Sequence, residues 1–295
     1  MYRFVYLLTL IALSISGCGT PASDAGKSVP VVLTSTTLLA DIARNIAGDR
    51  LQVDSLLPIG VDPHSYQPTP QDVTKLAKSK LLIINGADYE GFLQPLLDNA
   101  GDYGTILEAS SGVHLREEAR NIDPHLWLDP NNVIRYVENI RDGLIPFDPA
   151  GEAAYRSNAD NYMRQLTELD RWITEQVQQV PPEKRLLVTN HEALGYFAER
   201  YGFTVVGTVV ESFSSDASPS AQQMAGLIDQ INASSAPAIF LDAGDNMALA
   251  GQIADETGVR VVTDLHLESL TDGAPAATYI DLMKHNVTQI VNALK

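Results

Sequence analysis

The sequence predicts an α/β protein of two Rossmann-like lobes, each built on a mostly parallel sheet, bridged by one long rigid helix. Three observations predict it. Short β-branched or apolar runs alternate with amphipathic helical stretches on both sides of the chain's middle; the middle is a single unbroken amphipathic stretch; and polar residues collect just beyond the strand ends. Alternation of this kind makes parallel strands joined by crossover helices.

The first 17 residues read as a leader. One Arg precedes an apolar run over residues 4–15, too short to span a bilayer as a mature helix, and small residues follow it directly before Cys18. This resembles a bacterial lipoprotein signal, in which Cys18 is acylated and becomes the mature N-terminus. Residues 18–29 then form the lipidated N-terminus and a tether without apolar periodicity. More than one acyl chain on Cys18 gives stable anchoring without a transmembrane helix.

The N-terminal lobe is assigned to residues 30–148. Its strands fall at 31–35, 52–57, 81–85 and 105–107, and its helices near 38–47, 70–79, 89–99 and 131–142. The linking helix occupies 149–180. Tyr155, Ala159, Tyr162, Leu166, Leu169, Ile173, Val177 and Val180 step by three or four, Pro149 suits the first turn, and Pro181-Pro182 ends the run. The missing flanking heptads favour a packed strut over a coiled-coil stalk. The C-terminal lobe, 181–295, resumes the alternation with strands at 186–189, 205–210, 238–241 and 260–263 and helices near 192–201, 219–233, 246–257 and 277–293.

Composition narrows the chemistry. With 37 Asp and Glu against 20 Lys and Arg, the net charge is −17, which argues against nucleic acid as a ligand. Cys18 is the single cysteine; spent on the anchor, it leaves no disulfide, no thiolate metal site and no thiol nucleophile. Any metal must therefore rest on histidine and carboxylate.

Only six histidines are present, and two stand in one context, Asp62-Pro63-His64 and Asp123-Pro124-His125. Proline fixes its own φ and extends the residue before it, so each imidazole projects from a stiffened loop. In open α/β sheets ligands sit beyond the carboxyl ends of the strands. His191, after 186–189, and Asp264, ending 260–263, meet that rule in the second lobe; His64, after the turn 58–61, and His125, opening the loop before the helix near 131, can fall on the facing edge of the first. The four can close on one ion in the cleft between the lobes; His191 as a helix-start residue and Asp264 as an N-cap remain open alternatives. Three imidazoles and one carboxylate suit tetrahedral Zn2+, with Mn2+ as the alternative, since manganese prefers more oxygen ligands. Glu211 and Asp242, which also end strands, are candidates to line the cleft, accept imidazole N–H groups or cap helices. His114, His266 and His285 are expected at the surface, and Trp127 is expected to pack beneath the His125 loop.

From residue 31 onward the chain resembles the solute-binding lipoproteins of ATP-binding-cassette importers for zinc and manganese. The motifs are Gly60-Val61-Asp62-Pro63-His64 followed by Pro68-Thr69-Pro70; Asp123-Pro124-His125-Leu126-Trp127-Leu128-Asp129-Pro130; His191-Glu192-Ala193-Leu194-Gly195-Tyr196-Phe197 with Tyr201-Gly202; and Asp264. The resemblance implies His64, His125, His191 and Asp264 as ligands and no catalytic residues. It implies extracytoplasmic capture of a metal ion, foremost zinc, and delivery to a membrane permease by a monomer held to the membrane through its lipid. Histidine at the third position is the zinc-type set, whereas the stretch 111–123 lacks the long histidine-rich loop of many zinc members. Two rivals stand beside this reading. A zinc hydrolase would need an open coordination position and a base such as Glu192 or Glu211, and no His-Glu-x-x-His motif is present. A surface adhesion lipoprotein with a structural metal is the other.

Overall fold

Strand β1 (Val31–Thr34) buries Val32, Leu33 and Thr34 in succession, the mark of a strand covered on both faces. The computed structural model describes residues 31–101, 103–118, 121–215, 218–245 and 247–295, so the expected leader, tether and Cys18 lie outside the described residues. After β1 come α1 (Thr37–Ala47), β2 (Gln52–Ser55), α2 (Pro70–Lys78), β3 (Leu81–Ile84), α3 (Leu93–Ala100) and β4 (Thr105–Glu108). A short hairpin absent from the expected elements follows, β5 (Glu117–Glu118) with β6 (Asn121–Ile122), before α4 (Pro130–Phe147).

Helix α5 (Glu152–Val177) then runs for 26 residues, about 39 Å at about 1.5 Å per residue. The second half comprises β7 (Leu186–Thr189), α6 (Gly195–Tyr201), β8 (Thr204–Thr208), α7 (Ala221–Ser234), β9 (Ala238–Asp242), α8 (Met247–Thr257), β10 (Arg260–Leu265) and α9 (Tyr279–Leu294).

Each half carries a four-stranded parallel sheet, ordered β2-β1-β3-β4 and β10-β9-β7-β8. Counted from each half's own first strand, both orders are 2-1-3-4. The two sheets thus repeat one topology, and each has its switch point between its first and third strands, where a crevice opens at the carboxyl ends.

Helix starts follow side-chain capping. Thr36 Oγ1 accepts from Leu39 N at 3.3 Å ahead of α1, Asp129 Oδ1 from Asn131 N at 2.8 Å ahead of α4, and Thr278 Oγ1 from Asp281 N at 3.1 Å ahead of α9. Each such cap stabilises its helix by about 1 kcal/mol. Helix α3 begins four residues later than the periodicity predicts because two successive turns, closed by Tyr89 N to Gly86 O at 3.1 Å and Leu93 N to Glu90 O at 3.0 Å, occupy the stretch before it.

The alternation of β1 divides the interior. Leu33 joins Leu56, Leu76 and Leu82 beneath α2 and α3, while Val32 faces the other way into the main core. The second sheet does the same, with Ile239 and Leu241 packed against α7 and α8 and Phe240 turned inward. The main core is continuous across both halves. Tyr155, Ala159, Tyr162, Leu166, Leu169, Ile173 and Val177 of α5 are all buried, and α5 packs against α1 and α4 on one side and α9 on the other. Full burial of a Leu or Ile contributes about 1.5–3 kcal/mol, so parting the lobes along this seam would expose several such side chains at once.

Candidate metal centre

The first Asp-Pro-His loop leaves the carboxyl end of β2. Asp62 Oδ1 accepts from His64 N at 2.9 Å, a local turn that aims the imidazole inward, and Asp62 Oδ2 accepts from Ser215 Oγ across the cleft at 2.5 Å. The second copy leaves the β5–β6 hairpin and repeats the turn, with Asp123 Oδ1 accepting from His125 N at 3.0 Å. Here the carboxylate also reaches the ring: Nδ1 of His125 lies 2.9 Å from Asp123 Oδ1. A proton shared there leaves the Nε2 lone pair of His125 free for a ligand.

The other two groups come from the second lobe. His191 stands two residues past β7, its carbonyl held by Thr189 Oγ1 at 2.7 Å. Glu192 N donates to Ser212 O at 2.9 Å, drawing the chain into a turn that delays α6 until Gly195. Glu268 stands three residues past β10. Its loop is pinned at Leu267, whose N donates to Asp242 Oδ1 at 2.8 Å and whose O accepts from Trp127 Nε1 at 2.9 Å. Trp127 thus packs beneath the loops without entering the cluster.

These four side chains converge. Glu268 Oε1 lies 3.2 Å from His125 Nε2, 3.3 Å from His191 Nε2 and 3.8 Å from His64 Nε2. Its other oxygen accepts from Tyr89 OH at 2.6 Å. The ring centroids form a triangle with sides of 5.6, 5.6 and 5.2 Å. Metal–nitrogen bonds of about 2.0–2.1 Å in tetrahedral array place imidazole centroids about 5 Å apart, close to the observed triangle. Nε2 of His64 and Nε2 of His125 are buried without a hydrogen-bond partner. Buried polar atoms are rarely left so, and a cation that both can donate lone pairs to would resolve it.

Electrostatics agree with the geometry. Burial alone would lower His125, yet the charges of Glu268 and Asp123 outweigh it and push it up to about 9. Burial alone would raise Glu268, but the charge of His125 and the close approach of all three imidazoles hold its carboxyl well below the usual range. Positive charge is therefore favoured at the centre of the cluster. A cavity of ≈ 290 Å³ opens onto His191 and Glu268, with Asp62, Asp242, Asp245 and His266 on its walls. Desolvation there pushes Asp242 up to about 8, with the Glu268 charge adding to it.

The structure corrects the fourth position. Asp264 is not in the cluster: β10 extends to Leu265, beyond the expected end at 263, so Asp264 is a strand residue pointing outward while Leu265 is buried. Its side chain is 56% exposed and faces α9, with Oδ2 3.5 Å from His285 Nε2 and 3.2 Å from Gln289 Nε2. Glu268, missed in the sequence, takes the place beside the histidines. The available signal was Leu265, whose apolar character extends the β10 alternation and moves the loop to His266.

Asp242 lies on the cleft and acts on the Glu268 loop through Leu267, not on an imidazole. Glu211 is exposed and accepts from Gln223 Nε2 at 3.0 Å. It lines a separate cavity of ≈ 530 Å³ along α6 that includes none of the four clustered residues. His114 is exposed, while His266 and His285 pair outside the cluster with ring centroids 5.3 Å apart.

Comparison with known proteins gives a consistent picture. The family model for the periplasmic component A of a zinc-uptake complex matches residues 32–293. A manganese-binding lipoprotein of Halalkalibacterium halodurans is 36% identical over 297 residues, spanning 99% of this chain and 98% of that protein. Among solved structures, a manganese-bound mutant of a periplasmic metal-binding protein from Candidatus Liberibacter asiaticus aligns with a TM-score of 0.82 at 30% identity, over 90% of this chain and 100% of that one. The periplasmic zinc-binding protein of Treponema pallidum aligns with a TM-score of 0.84 at 28% identity, over 90% and 99% respectively.

Proposed function

We propose, from the premise that this chain belongs to the periplasmic zinc-uptake component A family, that it captures zinc through His64, His125, His191 and Glu268. Relatives in the family are named as substrate-binding lipoproteins of ATP-binding-cassette transporters, which supports a binding role over an enzymatic one and the importer's permease as the partner. One observation carries the assignment of ligands. A single carboxylate oxygen faces three imidazoles whose ligand atoms, with it, all lie within 4.8 Å of one another.

Tyr89 engages the second oxygen of Glu268, so the cluster presents three nitrogens and one oxygen. That donor set supports zinc, because nitrogen-rich four-coordinate sites bind it above manganese. Manganese is the second reading, favoured by the manganese-binding relative and reached if Glu268 binds through both oxygens. The ion is cargo. The acidic cavity admits it, the imidazole nitrogens bind it with the displaced His125 proton passing to solvent, and the permease receives it.

The N-terminal assignments belong to the same proposal. Residues 1–17 serve as the signal, Cys18 carries the lipid, residues 18–29 form the tether, and a monomer stands on the membrane between capture and delivery. Among the described residues no helix is long and apolar enough to cross a membrane.

Elemental analysis tests the reading. Protein stripped by chelator and dialysed against equal zinc and manganese should retain one zinc per chain, and Glu268→Gln should lose it. Retained manganese would move the assignment to the second reading, and a wild-type chain that retains neither ion would end the proposal.

A further inference from the structure

Arg116 lies just before the β5–β6 hairpin and belongs to neither Asp-Pro-His motif, yet it reaches the second of them. Its Nη1 donates to Asp123 Oδ2 at 2.7 Å, on the carboxylate whose other oxygen holds the backbone and ring of His125. Asp123 is wholly buried. A buried carboxylate needs a compensating charge, and the Arg116 guanidinium supplies it.

Helix α6 of the second lobe cradles that guanidinium on three sides. Arg116 Nε donates to Glu199 Oε2 at 2.9 Å, the guanidinium lies 5.5 Å from the centre of the Tyr196 ring, and Arg116 N donates to Tyr196 OH at 2.8 Å. Tyr196 OH in turn donates to the carbonyl of Asp123 at 3.1 Å. The third side is Gly195. A Cβ there would stand 1.6 Å from Arg116 Nη1 and 2.6 Å from Asp123 Oδ2, so any side chain at 195 would push the guanidinium off the carboxylate.

We propose that Arg116 is a positioning residue for metal capture, fixing the His125 ring through Asp123 only while α6 of the second lobe is docked against it. The proposal rests on the reading of His125 as a ligand and deepens it. Helix α6 begins four residues after His191, so a shift of that helix disturbs a second-lobe ligand directly and a first-lobe ligand through Arg116. Docking of α6 and ligand readiness are thereby one local event.

The test reads the two effects separately. In metal-free protein held at about pH 10, where His125 is neutral, nitrogen-15 NMR of the imidazoles should show His125 with its remaining proton held at Nδ1. Arg116→Gln and Gly195→Ala should broaden or shift that signal while His64 stays unchanged, and zinc competition should give an affinity about 10-fold weaker, the low end of what loss of a ligand's outer partner costs. Arg116→Lys, which restores the charge beside Asp123, should recover most of the His125 signal. If the His125 signal is unchanged in Arg116→Gln, the proposal is overturned, whether or not affinity falls; equal shifts at all three histidines would also overturn it, assigning Arg116 to general folding. Failure of the ligand reading shows differently, as a His125→Ala variant that keeps wild-type zinc affinity.

Discussion

The two Asp-Pro-His loops share a tripeptide and a turn but not a task. In both, the aspartate accepts from the histidine's own backbone N, at 2.9 Å in one and 3.0 Å in the other. Beyond that turn they diverge. Asp62 spends its second oxygen on the Ser215 hydroxyl at the mouth of the cleft, whereas Asp123 is sealed in the interior between Arg116 and the ring of His125. Local sequence fixes the backbone of such a loop, and the tertiary surroundings decide what the carboxylate does.

The sharpest test of this difference is acidity. His125, pushed up to about 9 by the neighbouring carboxylates, holds a proton at neutral pH that an incoming ion must displace. Apparent zinc affinity should therefore climb about tenfold per pH unit from pH 7 to 9, about 100-fold in all, with proton release measurable by calorimetry in buffers of different ionisation enthalpy. The same shift acts in the opposite direction on the metal-free fold. A raised histidine contributes stability that is full below its ordinary value of about 6.5 and is lost as pH rises through about 9, so the melting temperature of stripped protein should fall across that window. A flat affinity profile would break the contrast between the loops.

Mutation of the aspartates should separate them further. Asp123→Asn removes the charge that Arg116 compensates and loosens the His125 ring, and should weaken zinc binding about 10- to 100-fold in a chelator competition assay. Asp62→Asn keeps an acceptor for His64 N and perturbs the part-buried bond from Ser215 and the long one from Ser65; on stability it should cost about 1 kcal/mol by urea denaturation. Equal affinity losses from the two substitutions would show that the loops are equivalent after all. The smallest effect should come from Asp264→Asn, which alters a carboxylate turned toward α9 and should leave zinc affinity unchanged in the same assay.

Sequence patterns carry the parts of this molecule that depend on one element at a time. The buried face of α5 is legible because a packed helix must repeat its apolar positions by three or four, and each of the seven found buried within it sits on that repeat. His64 and His125 are legible because proline marks their loops, and His191 because it follows a strand. Glu268 is not, because the choice among Asp264, Glu268 and their neighbours turns on where an edge strand stops, which pairing with β9 decides. Arg116 is hidden for the same reason. Its meaning depends on Gly195, 79 positions away, and on a two-residue hairpin with no sequence signature.

The core that runs unbroken through both halves sets a clock as well as a shape. Periplasmic carriers that swing widely on a flexible hinge can shed their passenger simply by relaxing, but a chain whose lobes are fused along α5 has no inexpensive way to gape. Escape must instead go through brief excursions of the four loops around the ion. On the proposed reading, then, the cargo should dwell long in free solution and leave quickly only when the importer holds those loops open, a rate that stopped-flow capture by a chelator would measure.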